Sequence, residues 1–206
     1  IFGGLLAFYL ILPCSAWMEQ LLTGGIAVMA ESGILPWSGV LVEPLKILFF
    51  NNWLNHGFLL PLGVEQARAA GGSILFLLEE NPGPGFGILA ALALSRPGVR
   101  LKREMTSSLV IQMFGGIHEI YFPYVLADLR LLAAAMAGGI AGNYCFMLTG
   151  CRLRGPASPG SIITILLMSD SSHWIALTAG ILVSAAVSFG LAWMIMEHPA
   201  GTDGKP

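Results

Sequence analysis

Charge is what this sequence has least of. Lys, Arg, Asp and Glu make up 11% of its 206 residues, against roughly 25% in an ordinary soluble domain. So few charges cannot cover a surface that meets water on all sides, which argues against a soluble globular protein. An excess of basic residues is missing as well. The net charge of −2 excludes the electrostatic footprint of a nucleic-acid binder. Cysteine is sparse: Cys14, Cys145 and Cys151 show no metal-ligand spacing, and they read as small apolar packing residues. The helical zinc motif, two histidines four apart with an acid between, does not occur, so no metal and no other cofactor is expected. Ser158 and Ser161 sit in a Pro/Gly turn without an identifiable base, which argues against a serine hydrolase. The chain opens on apolar sequence without Met, a charged leader or a cleavage site, so it does not read as a secretory signal. The expectation is a piece that begins inside a larger domain.

What is present is apolar and continuous. Hydrophobic residues make up 55% of the chain and the mean hydropathy is +0.76. Trp174 to Met196 runs 23 residues without a charge, and a spanning helix needs roughly 20. Leu131 to Thr149 is a second uncharged run. The second of these carries Gly138 and Gly142, and the first carries Ala176, Gly180, Ser184, Ser188 and Ala192 at four-residue spacing. Small residues in such a stripe let a neighbouring helix approach closely, so both runs are assigned to scaffold or interface rather than to chemistry. Trp174 and Trp193 sit near the two ends of their run, as interfacial anchors do.

Other segments are apolar but broken. Residues 1–30 contain Pro13, Gly24 and Gly25, with Glu19 as their first acid, and read as the end of one helix and most of another. Leu35 to Gly63 holds Glu43, Lys46, Asn51, Asn52, Asn55 and His56 among Leu, Phe and Ile. Glu43 and Lys46 are three apart and can pair on one helix face. Glu79-Glu80-Asn81-Pro82-Gly83-Pro84-Gly85 interrupts a third segment, and Gly155 to Ser161 precedes a short apolar stretch, Ile162–Met168. Proline stops helices, and non-helical backbone at membrane depth survives only against protein or a water-filled cavity. Leu35–Gly63, Met105–Ala127 and Pro156–Met168 are therefore candidates for re-entrant segments. Arg96, Arg100, Lys102 and Arg103 place four of the ten basic residues in one short loop, which by the positive-inside rule faces the cytoplasm. The class expected is all-α: a polytopic integral membrane protein with re-entrant hairpins and broken helices, its membrane part spanning 1–197 and a polar linker or tail at 198–206.

Two clusters carry candidate chemistry. Asn51, Asn52, Asn55 and His56 supply many donors and acceptors in an apolar neighbourhood. A polyhydroxylated ligand needs such a set, because each hydroxyl stripped of water must find a replacement partner. The same residue types also join membrane helices to one another, and the pattern alone leaves both readings open. The second cluster is Gly116-Ile117-His118-Glu119. An acid inside an apolar, aromatic segment marks a functional site by default. Glu119 reads as a hydrogen-bond acceptor for sugar hydroxyls or as a base toward one of them, and His118 ranks behind it.

Four stretches in order carry a resemblance. They are Asn51-Asn52-Trp53-Leu54-Asn55-His56-Gly57, Leu77 to Gly85, Gly115-Gly116-Ile117-His118-Glu119-Ile120-Tyr121-Phe122-Pro123-Tyr124-Val125, and Pro156 to Ser161. Together they resemble the signatures of mannitol-type enzyme IIC, the membrane-embedded sugar subunit of the bacterial phosphotransferase system. The resemblance implies a multi-pass protein of the bacterial inner membrane, homodimeric in the lipid bilayer, moving like an elevator. It implies mannitol or a related hexitol as substrate, and phosphorylation of that sugar by a phosphocysteine on a cytoplasmic enzyme IIB domain. Glu119 would be the catalytic residue, with Asn51, Asn52, Asn55, His56, His118 and Glu119 binding substrate on two hairpins. The family's first membrane helices and its B domain are not matched here, none of the three cysteines lies in a B-type phosphocysteine loop, and this piece by itself is expected to be inactive. Two other readings stand beside this one: an ion- or proton-coupled carrier with Glu119 moving the proton, and a non-transporting membrane scaffold.

Overall fold

The computed structural model describes residues 2–95 and 99–197, and for 18, 19, 23, 27, 30, 31, 49, 50 and 99–102 it describes the backbone alone. Arg96 and the polar tail 198–206 thus lie outside the described residues, whereas Arg100, Lys102 and Arg103, expected in a loop, fall within the helix Val99–Val110, the first two with their side chains not described. The described residues form helices and connecting turns, with one isolated β-bridge between Ser73 and Leu153. Among the described residues, three helical stretches are long and apolar enough to cross a membrane: Phe2–Ile26, Leu131–Leu148 and Ser171–Glu197.

In chain order the elements are α1 (2–31), α2 (35–70), α3 (Leu75–Glu80), α4 (Gly83–Ser95), α5 (99–115), α6 (118–127), α7 (Leu131–Leu148), α8 (Ile162–Leu167) and α9 (Trp174–Glu197). At about 1.5 Å per residue, α9 is roughly 36 Å long, enough for a hydrocarbon core of about 30 Å with some tilt. Both α1 and α2 run on where the sequence suggests breaks. The expected interruption near Pro13 is instead a π-turn at Ala7–Ile11 inside one helix. Further π-turns fall at Lys46–Phe50 and Asn55–Leu59 of α2. A helical proline clashes with the carbonyl four residues back. For Pro13 and Pro61 that carbonyl belongs to Tyr9 and Gly57, each inside a π-turn. The widened turn makes room for the ring, and the helix continues. Asn51 to His56 therefore lie within a helical run rather than at a hairpin tip.

The Asn81-Pro82 break is real but short: α3 ends at Glu80, Asn81 is extended, and α4 starts at Gly83. Asn81 holds the break together. Its Oδ1 accepts from the Gly83 N–H at 2.9 Å, and its Nδ2 donates to Ser184 Oγ at 3.0 Å. The stretch 149–161 is non-helical, as the Pro/Gly content predicts, and Ser161 caps α8 through a reciprocal box with Thr164.

The small-residue stripes are used inside the chain. Gly180, Ser184, Ser188 and Ala192 of α9 are buried, as are Gly138 and Gly142 of α7. Ser184 Oγ donates to the Gly138 carbonyl at 2.7 Å across the α7–α9 contact. On the other side, α4 brings Gly83 and Gly87 against Ser184 and Ser188. These three helices form the packed body, with Ile88, Leu89, Leu92, Ala134 and Ala135 in its apolar centre. Against that body lie α2, α3, α6 and the 155–161 loop.

A Cβ at Gly87 would overlap Ser188 Oγ and the Ala185 carbonyl, whereas one at Gly190 meets open space. Gly87→Val is expected to lower stability by about 1–3 kcal/mol through overpacking, and Gly190→Ala to be tolerated. Thermal unfolding of the two variants in detergent checks this, with equal midpoints counting against the packing assignment.

Candidate functional site

The site is built where helices stop. The left-handed Gly116, φ 68°, ends α5. A Cβ there would stand 2.6 Å from the Ser161 nitrogen, so both backbone angle and space require glycine. This turn delivers His118 and Glu119 on a 3-10 turn, His118–Tyr121. From another side the α3–α4 break brings in Glu79 and Glu80. The loop 157–160 closes a third side, and one face of α2 the fourth.

Together these line an open-mouthed cavity of about 220 Å³. All six residues singled out in the sequence line it: Asn51, Asn52, Asn55 and His56 from α2, and His118 and Glu119 from the turn. Asn51 Nδ2 donates to Glu119 Oε1 at 2.8 Å, joining the two sequence clusters directly. Asn51 Oδ1 is buried and accepts no hydrogen bond. His118 and Glu119 differ in setting. His118 is buried and its Nε2 lies 2.9 Å from the Gly160 carbonyl, while Glu119 is exposed to the cavity. A Cβ at Gly160 would come within 3.0 Å of the His118 ring.

Glu79 and Glu80, which in the sequence mark only a helix break, also line this cavity. The signal was available, since the rule that marks Glu119 applies equally to two adjacent acids in an apolar segment. Glu80 Oε2 accepts the Ala157 N–H at 2.8 Å and so ties the 157–160 loop to α3. Glu79 is nine-tenths buried. The lining therefore offers three carboxylates, three carboxamides and two imidazoles, and no Lys or Arg. Acceptors outnumber satisfied donors, an arrangement suited to a neutral ligand rich in hydroxyl groups. No cluster of metal-ligand type occurs among the described residues.

Long apolar helices around a polar cavity made from helix breaks define a polytopic membrane protein with a polar site. Comparison with known proteins narrows the class. The mannitol-specific EIICB component of the phosphotransferase system from Bacillus subtilis is 46% identical over 199 residues, 97% of this chain and 41% of that protein. The EIICB component from Streptococcus pneumoniae (strain ATCC BAA-255 / R6) is 49% identical over 170 residues, 82% of this chain and 29% of that protein. The EIICBA component from Escherichia coli (strain K12) is 41% identical over 193 residues, 94% of this chain and 30% of that protein. Over most of its length the chain is similar to these mannitol-specific components of the phosphotransferase system. It spans between 29% and 41% of the length of these relatives. No family model matches the chain, and no solved structure matches it.

Removing the Glu80 carboxylate leaves the Ala157 N–H buried without its partner, a loss of about 1–3 kcal/mol. Glu80→Ala is expected to loosen the 157–160 loop. Hydrogen exchange at the Ala157 amide should rise roughly tenfold or more on that basis, and unchanged exchange would remove Glu80 as the loop's anchor.

Proposed function

We propose that this chain forms the sugar-binding part of a mannitol-specific permease, in which uptake across the bacterial inner membrane is coupled to phosphorylation. The observation that carries the reading is the meeting of two distant polar clusters, Asn51 to His56 and His118-Glu119, around one cavity in an otherwise apolar chain. The cavity, about 220 Å³, lies below the roughly 300–1,000 Å³ of drug-sized sites and suits a small hydrophilic molecule. The relatives' names supply mannitol as the substrate class and a B component as partner.

In this reading the hexitol hydroxyls donate to the Glu119 and Glu79 carboxylates, while the Asn51 amide holds Glu119 in place. The Asn52 and Asn55 amides and the His56 ring complete the cage. Each contact replaces one that the sugar held with water, so the ligand crosses apolar surroundings without losing hydrogen bonds. His118 and Glu80 act on the wall: they hold the loop that closes one side. The phosphoryl group comes from a cysteine of the partner B domain. The hydroxyl oxygen forms the new P–O bond as the P–S bond breaks, the thiolate leaves with that electron pair, and Glu119 takes the hydroxyl proton. Such transfer needs in-line placement more than covalent help from the membrane part. Access from either side follows from rigid-body motion around the site, in a homodimer embedded in the bilayer. Residues 1–197 belong to the IIC domain, and 198–206 link it onward.

The rival readings have less behind them. The relatives pair their C portion with a B component, which an ion- or proton-coupled carrier does not need. The small-residue stripes that a pure scaffold would present outward are consumed by packing within the chain.

Binding of radiolabelled mannitol to membranes containing the full-length protein tests the reading. Glu119→Gln removes a charged acceptor, and affinity is expected to fall about ten- to a hundredfold. His56→Ala, losing one neutral contact, is expected to cost about two- to tenfold. Binding untouched by both substitutions would remove these residues from the site.

A further inference from the structure

Three buried polar side chains lie just behind the cavity and do not line it. Glu43, Lys46 and Tyr121 are each 1% exposed. Ions survive such burial only when paired and hydrogen-bonded, and these are. Lys46 Nζ donates to Glu43 Oε1 at 3.1 Å, and the Tyr121 hydroxyl donates to Glu43 Oε2 at 3.2 Å. The Glu43 carboxylate thus uses both oxygens, one for a neighbour on α2 and one for the turn that carries Glu119.

Packing leaves this bridge little room to shift. A Cβ at Gly139 of α7 would stand 2.8 Å from Glu43 Cγ, and one at Gly85 of α4 would overlap the Tyr121 ring. Tyr121 also meets Phe122 edge to face, with ring centroids 5.0 Å apart. The bridge is therefore clamped by the body of the protein on two sides.

The same two segments meet a second time. Asn51, further along α2, bonds Glu119, two residues before Tyr121, at 2.8 Å. Two cross-links run in parallel between α2 and the 118–121 turn, one dry and one facing the cavity. The cavity pair is open to competition from water and ligand; the dry pair is not. We propose that Glu43, Lys46 and Tyr121 are positioning residues that set the register of Glu119 against the Asn51 face of α2, with Lys46 as the counter-charge that lets Glu43 stay buried. This rests on the sugar-site reading above and adds to it three residues that never touch the sugar.

The test is equilibrium binding of radiolabelled mannitol to membranes with the full-length protein. Tyr121→Phe deletes one hydroxyl and keeps the ring. It is expected to lower affinity about tenfold in the wild-type background. In an Asn51→Ala background the same change should cost less than about threefold, because effects passed through a shared contact are not additive. A merely structural weakening would give the same factor in both. Lys46→Met strands a buried carboxylate and should lose binding or folding, whereas Glu43→Gln/Lys46→Met keeps the acceptor for Tyr121 without charge and should recover most of the affinity. An unchanged affinity in Tyr121→Phe, or equal factors in the two backgrounds, overturns the positioning role and leaves the sugar site standing. A double variant no better than Lys46→Met overturns the counter-charge role. No saturable mannitol binding in the wild type overturns the sugar-site reading, and this proposal with it.

Discussion

A polar group surrounded by hydrocarbon must be paired within the protein, and the architecture of this chain follows from that constraint. Its strongest expression is the double link between α2 and the 118–121 turn, Glu43 to Tyr121 in the dry interior and Asn51 to Glu119 at the cavity. Helix breaks obey the same rule. At the α3–α4 break Asn81 bonds both its own chain and Ser184. At the 157–160 loop the backbone is held by the Glu80 carboxylate and the His118 ring. The breaks that expose backbone also bring in side chains, and two of these, Glu80 and His118, line the one cavity.

The rigid body makes this convergence possible. Glycine and serine on α4, α7 and α9 let three helices approach closely. Dispersion and short hydrogen bonds replace the hydrophobic effect as the source of association, since lipid is as apolar as leucine. A body packed this tightly gives the broken elements a fixed surface to lean on. Gly139 and Gly85, which admit Glu43 and Tyr121, belong to that body. Scaffold and site are therefore joined through contacts as small as one missing methyl group.

Much of this was legible in the sequence, for physical reasons. The runs of α7 and α9 could be read because membrane spans need length and apolarity, which residue types state directly. The stripes on them were legible as close-packing faces, though not which helices they would meet, because spacing encodes a face and not a partner. Glu43 and Lys46 pair as their spacing predicts. The six candidate site residues come together because acids, amides and imidazoles in apolar sequence have few affordable places to go. The continuity of α1 and α2 was hidden. Proline and glycine are the same letters whether a helix ends or widens into a π-turn, and the choice depends on tertiary contacts. Glu79 and Glu80 are not marked as site residues by local pattern, because the Pro/Gly run beside them is the signature of a turn. Glu80's bond to Ala157, 77 residues away, lies beyond any local pattern.

On the proposed function a hexitol sits in the cavity between the Asn51 face of α2, Glu119 and the 157–160 loop. The most direct test is a cryo-electron microscopy structure of the full-length protein in lipid nanodiscs with mannitol bound. Ligand density is expected in that cavity, within hydrogen-bond distance of the Glu119 carboxylate and at least one of Asn51, Asn55 and His56. Mannitol density elsewhere, with this cavity holding only water, would contradict it.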